Sequence, residues 1–218
     1  MDLEFRGMRF FFNDTPTLPM IVNEIFGDNY KIFERGIEFE AGDVILDIGA
    51  NEGIFSIMMA KCFPVKVISL EPVPRTYFQM IRNIGLNGVD VEAYNVGVGG
   101  KSGTVPMVVG KELSGGSSGV QQFFDPELNF KLEVNVLSLD EVFEKYHIDK
   151  LKLLKIDIEG MEYETLYNTS VLDRVENVVG EFHMNTFLKD KLYDMNELAT
   201  YVGSKSNLIY YEKCRMAE

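Results

Sequence analysis

A glycine turn between two apolar runs constrains the fold of this chain more than any other feature. The run 43–48 enters a turn that carries Gly49 and Gly53, and a second apolar run ends just before Glu71. Residues 54–62 lie between them and have apolar positions at the spacing of a helix packed on a sheet. A strand, a glycine turn, a helix and a second strand that ends in an acid are typical of a nucleotide-binding βαβ unit. The sequence therefore predicts that the chain binds an adenosine.

The turn departs from the dinucleotide-binding fingerprint. A G-x-G-x-x-G motif that starts at Gly49 would also need glycine at the positions of Asn51 and Ile54, so a pyrophosphate binds less well here. Asp47 precedes the turn and suits a ligand with an amino group or a positive charge, such as S-adenosylmethionine. Glu71, about 20 residues beyond the turn, can accept hydrogen bonds from both ribose hydroxyls. The alternative is that Asp47 and Glu71 are ordinary acids at strand ends beside a tight turn.

Composition limits the class of protein. The 218 residues are 46% hydrophobic, which is enough for one domain with a sizeable core. The net charge of −13 repels a phosphate backbone, and no apolar run is long enough to span a bilayer. The chain starts without the features of a signal peptide, and Cys62 and Cys214 form no disulfide framework or metal spacing. We therefore expect a cytoplasmic protein with a small-molecule partner and no nucleic-acid or membrane partner, while its oligomeric state stays open.

Apolar runs and helical patterns alternate from residue 43 onward, which predicts an α/β fold with a parallel sheet and helices on both faces. We expect strands at 43–48, 65–70, 91–96, 151–158, 176–183 and 207–212, and helices at 53–62, 74–83, 138–146, 162–168 and 194–202. Two further strands at 104–109 and 131–137 predict an inserted hairpin, and the glycine- and serine-rich tract 114–119 between them is either a lid or a plain loop. Residues 1–40, with a hairpin-like pair and a short helix at 18–26, are expected to form a cap segment of the same domain.

Acids recur where two later strands end. Asp157 and Glu159 end the strand predicted at 151–158, and Glu181 and His183 end the next strand. The two-residue period of a strand places each pair on one face, and ligands of open α/β sheets bind beyond the carboxyl ends of the strands. A histidine at a strand end is more often structural than catalytic, but neighbouring acids make His183 a candidate general base.

Four sequence blocks resemble the FkbM-type family of S-adenosylmethionine-dependent methyltransferases. The blocks are D-I-G-A-N-E-G at 47–53, E-P at 71–72, L-K-I-D-I-E-G-M-E at 154–162 and G-E-F-H at 180–183. The resemblance covers most of residues 43–183, and the third block is its most specific part. It implies a Rossmann-like class I methyltransferase fold with a mostly parallel seven-stranded sheet, in a domain at 41–218. It also implies methylation, usually of an oxygen on a sugar or natural product. Residues 95–100, N-V-G-V-G-G, depart from the alanine and nearby acid that the family more often shows.

The motifs and the resemblance together define the predicted site. The cofactor-binding residues lie in the turn and at the ends of the second and third strands: Asp47, Gly49, Ala50, Asn51, Gly53, Glu71, Pro72, Val96 and Gly97. The catalytic candidates are Asp157 and Glu159 on the acceptor side, with His183 or Glu181 as general base. No metal is predicted, although carboxylates at this edge are compatible with a divalent cation. Glu162 and Glu164 are interpreted as acids that complement the dipole of the helix they begin.

Two other functions fit parts of the pattern. An NAD-dependent oxidoreductase has a similar fold, but the glycines that it needs are missing at Asn51 and Ile54. A non-catalytic protein could bind an adenosyl ligand or a partner protein without turnover, and its strand-end acids would then have no chemical role. The sequence favours a methyltransferase, with O-methylation of a sugar or natural product as the expected reaction, and leaves the acceptor unnamed.

Overall fold

Strands and helices alternate along the chain from Val44 onward, as the sequence predicts. The computed structural model describes residues 2–11, 18–27, 30–110, 119, 127 and 129–215. The strands are β1 (Asp2–Phe5), β2 (Met8–Phe11), β3 (Val44–Ile48), β4 (Lys66–Leu70), β5 (Val91–Tyr94), β6 (Gly97–Gly99), β7 (Gly103–Gly110), β8 (Asn129–Ser138), β9 (Leu151–Ile156), β10 (Val175–Met184) and β11 (Asn207–Arg215). The helices are α1 (Leu18–Phe26), α2 (Ile54–Cys62), α3 (Pro74–Asn87), α4 (Leu139–Lys145), α5 (Glu162–Tyr167), α6 (Thr186–Asp190) and α7 (Met195–Gly203), with a 3₁₀ turn at Leu172–Arg174.

Six strands form the main sheet in the order β11-β10-β9-β3-β4-β5, and every neighbouring pair is parallel. Numbered along the chain within this sheet, the order is 3-2-1-4-5-6, the arrangement of doubly wound folds. The order reverses between β3 and β9. In such sheets ligands bind at the carboxyl ends of the strands beside this reversal.

The predicted seventh strand is absent from this sheet in the part of the chain that the structure describes. The chain leaves the sheet after β5 at Asn95, whose side-chain amide donates hydrogen bonds to the carbonyl oxygens of Glu71 and Pro72, both at 2.9 Å. Strand β6 then pairs in parallel with β8, which also pairs antiparallel with β7. These three strands form a separate sheet, and the glycine- and serine-rich tract at 114–118 lies outside the described residues.

Helices cover both faces of the main sheet. Neighbouring strand residues such as Ile45 and Leu46 point to opposite sides, and both are fully buried. On one side Ile45 and Leu153 pack with α1, α2 and the β1–β2 pair, and on the other Leu46 and Leu154 pack with α4, α5 and α7. Burial on both faces explains why the strands are nearly continuous apolar runs rather than alternating ones.

The N-terminal segment is attached to the domain through α3. The backbone N–H of Arg9 donates to Asn87 Oδ1 at 2.9 Å, and that of Phe11 donates to Asn83 Oδ1 at 2.7 Å. Helix α1 packs on α2, and this contact brings one face of α1 to the carboxyl edge of the main sheet. Residues 12–17, which include the end of the predicted hairpin region, lie outside the described residues. Within the described ranges, every helix is too short or too polar to cross a membrane.

Candidate active site

The turn after β3 presents backbone to the ligand-binding edge of the sheet. Gly49, Asn51 and Gly53 have positive φ angles of 75°, 50° and 82°. A Cβ atom added to Gly49 would lie 1.8 Å from the carbonyl oxygen of Asp157. Only glycine therefore lets the turn after β3 approach the loop after β9 this closely.

Glu71 stands at the end of β4, next to this turn. It is 6% exposed, and its carboxylate accepts hydrogen bonds from the backbone N–H of Asn51 at 3.0 Å and of Val73 at 2.9 Å. Burial raises the pKa of Glu71 to about 7, although both backbone hydrogen bonds act in the opposite direction. Since a carboxylate has about four acceptor positions, two remain for the hydroxyls of a ligand.

A cavity of about 680 Å³ opens beside Glu71. Five of the predicted cofactor residues line this first cavity: Gly49, Asn51, Glu71, Pro72 and Gly97. Val98, Met107 and Met161 add apolar surface to its wall. A mainly apolar wall with a few polar groups is typical of small-molecule sites.

The structure does not place Asp47 where the sequence predicts it. Its carboxylate is fully buried beneath the turn, accepts a hydrogen bond from Ser56 Oγ at 2.5 Å, and lies 3.2 Å from Lys155 Nζ. Lys155 in turn donates to the carbonyl oxygen of Gly49 at 2.8 Å. Burial works against a charged amine, but Asp47 and Asp157 outweigh it and raise the pKa of Lys155. Asp47 therefore balances a buried lysine that holds the turn, and its carboxylate has no surface for the amino group of a ligand.

Three other predicted cofactor residues, Ala50, Gly53 and Val96, also lie away from the first cavity. Gly53 packs against α3, because an added Cβ would lie 2.7 Å from Met80 Cγ. Val96 belongs to the hydrophobic core below the sheet, and Val98 lines the cavity in its place. The strand expected to continue to residue 96 ends at Tyr94, and this shift changes which valine lines the first cavity.

A second cavity of about 680 Å³ lies on the other side of the same turn. Its walls come from α1 and from the loop before β3, including Ile21, Ile25 and Tyr30, and from the predicted residues Ala50 and Glu181. Four residues line both cavities: Gly49, Asn51, Asp157 and Glu159. The two cavities therefore meet at the carboxyl ends of β3 and β9, where the strand order reverses.

All four predicted catalytic residues come together beside this junction. His183 is 4% exposed, and its Nε2 lies 3.5 Å from Glu159 Oε2, 3.8 Å from Glu181 Oε2 and 4.0 Å from Asp157 Oδ1. The three carboxylates reach a cavity, whereas His183 lines neither cavity as the described residues define them. His183 therefore lies behind the three acids and does not itself line the second cavity.

The charges in this cluster perturb one another. Burial disfavours a charged imidazole, but Glu162 and the other acids outweigh it and raise the pKa of His183. Burial raises the pKa of Glu159 to about 7, and His183 offsets only part of this effect. Burial followed by the repulsion of Asp157 raises the pKa of Glu181. Lys155 Nζ, 3.9 Å from Asp157 Oδ2, adds a second positive charge, but the four carboxylates around His183 still outnumber the cations that face them.

Glu162 has a role that the sequence interpretation missed. It is fully buried, its Oε1 lies 2.9 Å from His183 Nδ1, and its carboxylate accepts hydrogen bonds from the backbone N–H of Ile158 and Gly160. Strand β9 ends at Ile156, so Asp157 and Glu159 meet through a turn, with a φ of 54° at Glu159, and not through strand periodicity. The sequence did contain a signal for this role. Glu162 follows Gly160 by two residues at a strand end, where a carboxylate can accept hydrogen bonds from the backbone of the turn as well as complement a helix dipole.

Lys155 and Tyr30 were also not predicted as site residues. Lys155 interrupts the apolar run of β9, and a lysine at a buried strand position indicates a charged partner. Tyr30 is buried, and its hydroxyl donates to Glu181 Oε1 at 3.4 Å. No local pattern in the sequence marks Tyr30, because its contact with β10 spans 151 residues of chain.

The strand order defines a doubly wound α/β protein with an acid-lined crevice at the carboxyl ends of its strands. The methyltransferase FkbM domain matches residues 47–206, and the chain belongs to this family. The resemblance found in the four sequence blocks is thereby confirmed. The protein is a methyltransferase, and its family implies S-adenosylmethionine as methyl donor.

Named relatives come from fungi, archaea and bacteria. The methyltransferase sdnD of Sordaria araneosa is 27% identical over 80% of this chain and 82% of its own length. The hexuronic acid methyltransferase AglP of Haloferax volcanii is 26% identical over 76% of this chain and 67% of its own length. The 31-O-demethyl-FK506 methyltransferase FkbM of Streptomyces tacrolimicus is 27% identical over 75% of this chain and 74% of its own length. A solved structure from Streptococcus mutans aligns with a TM-score of 0.40 at 12% identity, over 83% of this chain and 40% of that chain.

Proposed function

We propose that the protein transfers a methyl group from S-adenosylmethionine to a hydroxyl oxygen of a sugar or natural-product small molecule. The observation that carries the proposal is the junction of two cavities at Gly49, Asn51, Asp157 and Glu159. Methyl transfer needs a donor and an acceptor aligned on either side of one point, and such alignment supplies much of the rate enhancement. Two relatives are named as methyltransferases of a hexuronic acid and of 31-O-demethyl-FK506.

The first cavity fits the methyl donor. Glu71 has two free acceptor positions for the ribose hydroxyls, and the glycine turn leaves no Cβ between backbone and ligand. Asn51 Oδ1 is buried and has no hydrogen-bond partner among the described residues, and Asn51 lines this cavity. A buried acceptor without a donor is costly, so Asn51 suits the amino group that the sequence assigned to Asp47. S-adenosylmethionine would supply a methyl carbon made electrophilic by its cationic sulfur.

The second cavity fits the acceptor. Its wall carries the carboxylates of Glu24, Asp157, Glu159 and Glu181 together with Lys155, and these groups can form hydrogen bonds with a hydroxyl-rich acceptor. Asp157 and Glu159 line both cavities and can hold an acceptor hydroxyl at the junction. Of the two predicted bases, Glu181 lines the second cavity and His183 does not, so we assign Glu181 to take the hydroxyl proton.

The test is methyl transfer from methyl-deuterated S-adenosylmethionine to a panel of sugars and natural-product alcohols, followed by mass spectrometry. We expect a labelled ether product, and a loss of about a hundredfold or more in turnover for Glu181→Gln. Glu176→Gln is the matched control, because Glu176 lies on the same strand at its amino end and pairs with Lys152. A label on nitrogen would refute the O-methylation, and full activity of Glu181→Gln would remove Glu181 from the mechanism. Binding of NADH instead of S-adenosylhomocysteine would favour the oxidoreductase.

A further inference from the structure

The side chains around His183 have the spacing of ligands around an ion. Its Nε2 lies between 3.5 and 4.0 Å from one oxygen each of Glu159, Glu181 and Asp157. These separations exceed the roughly 2.7–2.9 Å of a charge-assisted hydrogen bond. They match the spacing of about 3.0–4.2 Å between ligands that each bind one ion at about 2.1 Å. One ligand atom from each of Asp157, Glu159 and His183 lies within 4.8 Å of the other two.

The second nitrogen of His183 has the partner that a metal-binding histidine needs. Its Nδ1 lies 2.9 Å from Oε1 of the fully buried Glu162. A histidine that binds a metal through one nitrogen almost always donates the other N–H to a carboxylate, a carbonyl or water. Glu162 also holds the backbone of Ile158 and Gly160, so a single buried carboxylate orients both the imidazole and the loop that carries Asp157 and Glu159.

Charge and access support the same interpretation. Asp157 and Glu159 are each 26% exposed at the side chain and open onto both cavities, which leaves room for further ligands. Glu181 accepts hydrogen bonds from Tyr30 Oη at 3.4 Å and from Cys214 Sγ at 3.1 Å, and these bonds fix its carboxylate at the edge of the cluster. One divalent cation would offset the excess negative charge of the cluster.

We infer that Asp157, Glu159 and His183 Nε2 bind a divalent cation of the first transition row, such as Mn²⁺ or Zn²⁺, and that the proton on His183 Nε2 is released to solvent as the cation binds. One imidazole and two carboxylates suit these ions better than Mg²⁺, which prefers oxygen ligands alone. Glu162 is a positioning residue for this site, and the remaining coordination positions face the junction of the two cavities.

The role of the cation rests on the proposed function. A hydroxyl bound to the cation loses its proton more easily, and its oxygen is held at the junction. The proton passes to Glu181, which lies 3.8 Å from His183 Nε2. The new bond forms between this oxygen and the methyl carbon, while the bond between that carbon and the donor sulfur breaks.

The test measures cation binding to the chelator-treated protein without methyl donor or acceptor, by calorimetry with Mn²⁺ and with Zn²⁺ and by the electron paramagnetic resonance of Mn²⁺. We expect one ion per chain and binding at least tenfold weaker in Asp157→Asn and Glu159→Gln. Glu162→Gln should weaken binding by about 10–100-fold, as for other carboxylates behind a metal-binding histidine. The partly exposed Asp157 and Glu159 serve as test sites because His183→Ala removes a buried ring and can prevent folding. The control variant Glu176→Gln, changed at the opposite end of β10 from His183, should bind the cation as tightly as the unmodified protein.

Absence of binding at millimolar Mn²⁺ and Zn²⁺ would overturn the inference, as would equal binding by the site variants and Glu176→Gln. These results are separate from those for the proposed function. A chain that binds the ion but methylates no acceptor contradicts only the function, and full methyl transfer by a protein free of bound cation contradicts only the role assigned to the cation.

Discussion

Replacement of Asp47 by asparagine tests whether this carboxylate balances a buried lysine or contacts the methyl donor. Its Oδ1 lies 3.2 Å from Lys155 Nζ, and the two side chains are 0% and 5% exposed. Removal of one partner of a buried ion pair typically costs about 3–5 kcal/mol. Because asparagine can still accept the hydrogen bond from Ser56, we expect about 3 kcal/mol, the low end of that range. A domain of this size is stable by on the order of 10 kcal/mol or more, so the variant should fold.

The assay is equilibrium unfolding in urea, together with calorimetry of S-adenosylhomocysteine binding to the folded variant. The matched control is Glu176→Gln, which breaks the partly exposed pair of Glu176 with Lys152 and should cost about 0–1 kcal/mol. Ligand affinity should fall only modestly in Asp47→Asn, since Lys155 still holds the carbonyl oxygen of Gly49. A loss of less than 1 kcal/mol combined with a tenfold or greater loss of affinity would refute this reasoning and restore Asp47 as a ligand contact.

Two further predictions concern the first cavity. The pKa of Glu71 is raised to about 7 in the folded protein, whereas a glutamate in an unfolded chain has a pKa of about 4.3. Between these values the folded protein keeps a proton that the unfolded chain has lost. The contribution of Glu71 to stability therefore falls as the pH rises from about 4 to 7. Only the ionised carboxylate accepts from both ribose hydroxyls, so S-adenosylhomocysteine should bind about tenfold more weakly at pH 6 than at pH 8. Glu71→Gln should bind weakly at both values, and an unchanged pH dependence in this variant would assign the effect elsewhere. Gly49→Ala should cost at least about 2 kcal/mol and abolish binding, since its Cβ would lie 1.8 Å from a carbonyl oxygen at a φ of 75°. Gly85→Ala in α3, where an added Cβ meets nothing within 4 Å, should unfold no more easily than the parent, and equal behaviour of the two variants would contradict the steric argument.

Local chemistry made most of the fold predictable. The apolar runs of β3 and β9, the glycines of the turn and the alternation of strand and helix patterns depend on neighbours within a few residues. The position of Glu71 was predictable for the same reason. An acid that follows the second strand of a βαβ unit lies at the carboxyl edge of the sheet. The strand-end acids Asp157 and Glu159 were found for this reason, although the turn that joins them was not.

Partners distant in sequence decided the rest. Asp47 and Lys155 are both visible in the sequence, but only the alignment of β3 beside β9 shows that they neutralise each other and that Asp47 is hidden from the ligand. From the sequence, Glu162 is explained by the dipole of the helix that it begins. Only the structure shows that β10 places His183 Nδ1 2.9 Å from Glu162 Oε1. The six strands that the main sheet has among the described residues likewise depend on the pairing of β6 with β8 instead of with the main sheet. Sequence by itself determined which residues lie at the ligand-binding edge, because that follows from strand direction. Tertiary structure determined which of them face the cavities, because burial and charge pairing depend on contacts between segments far apart in the chain.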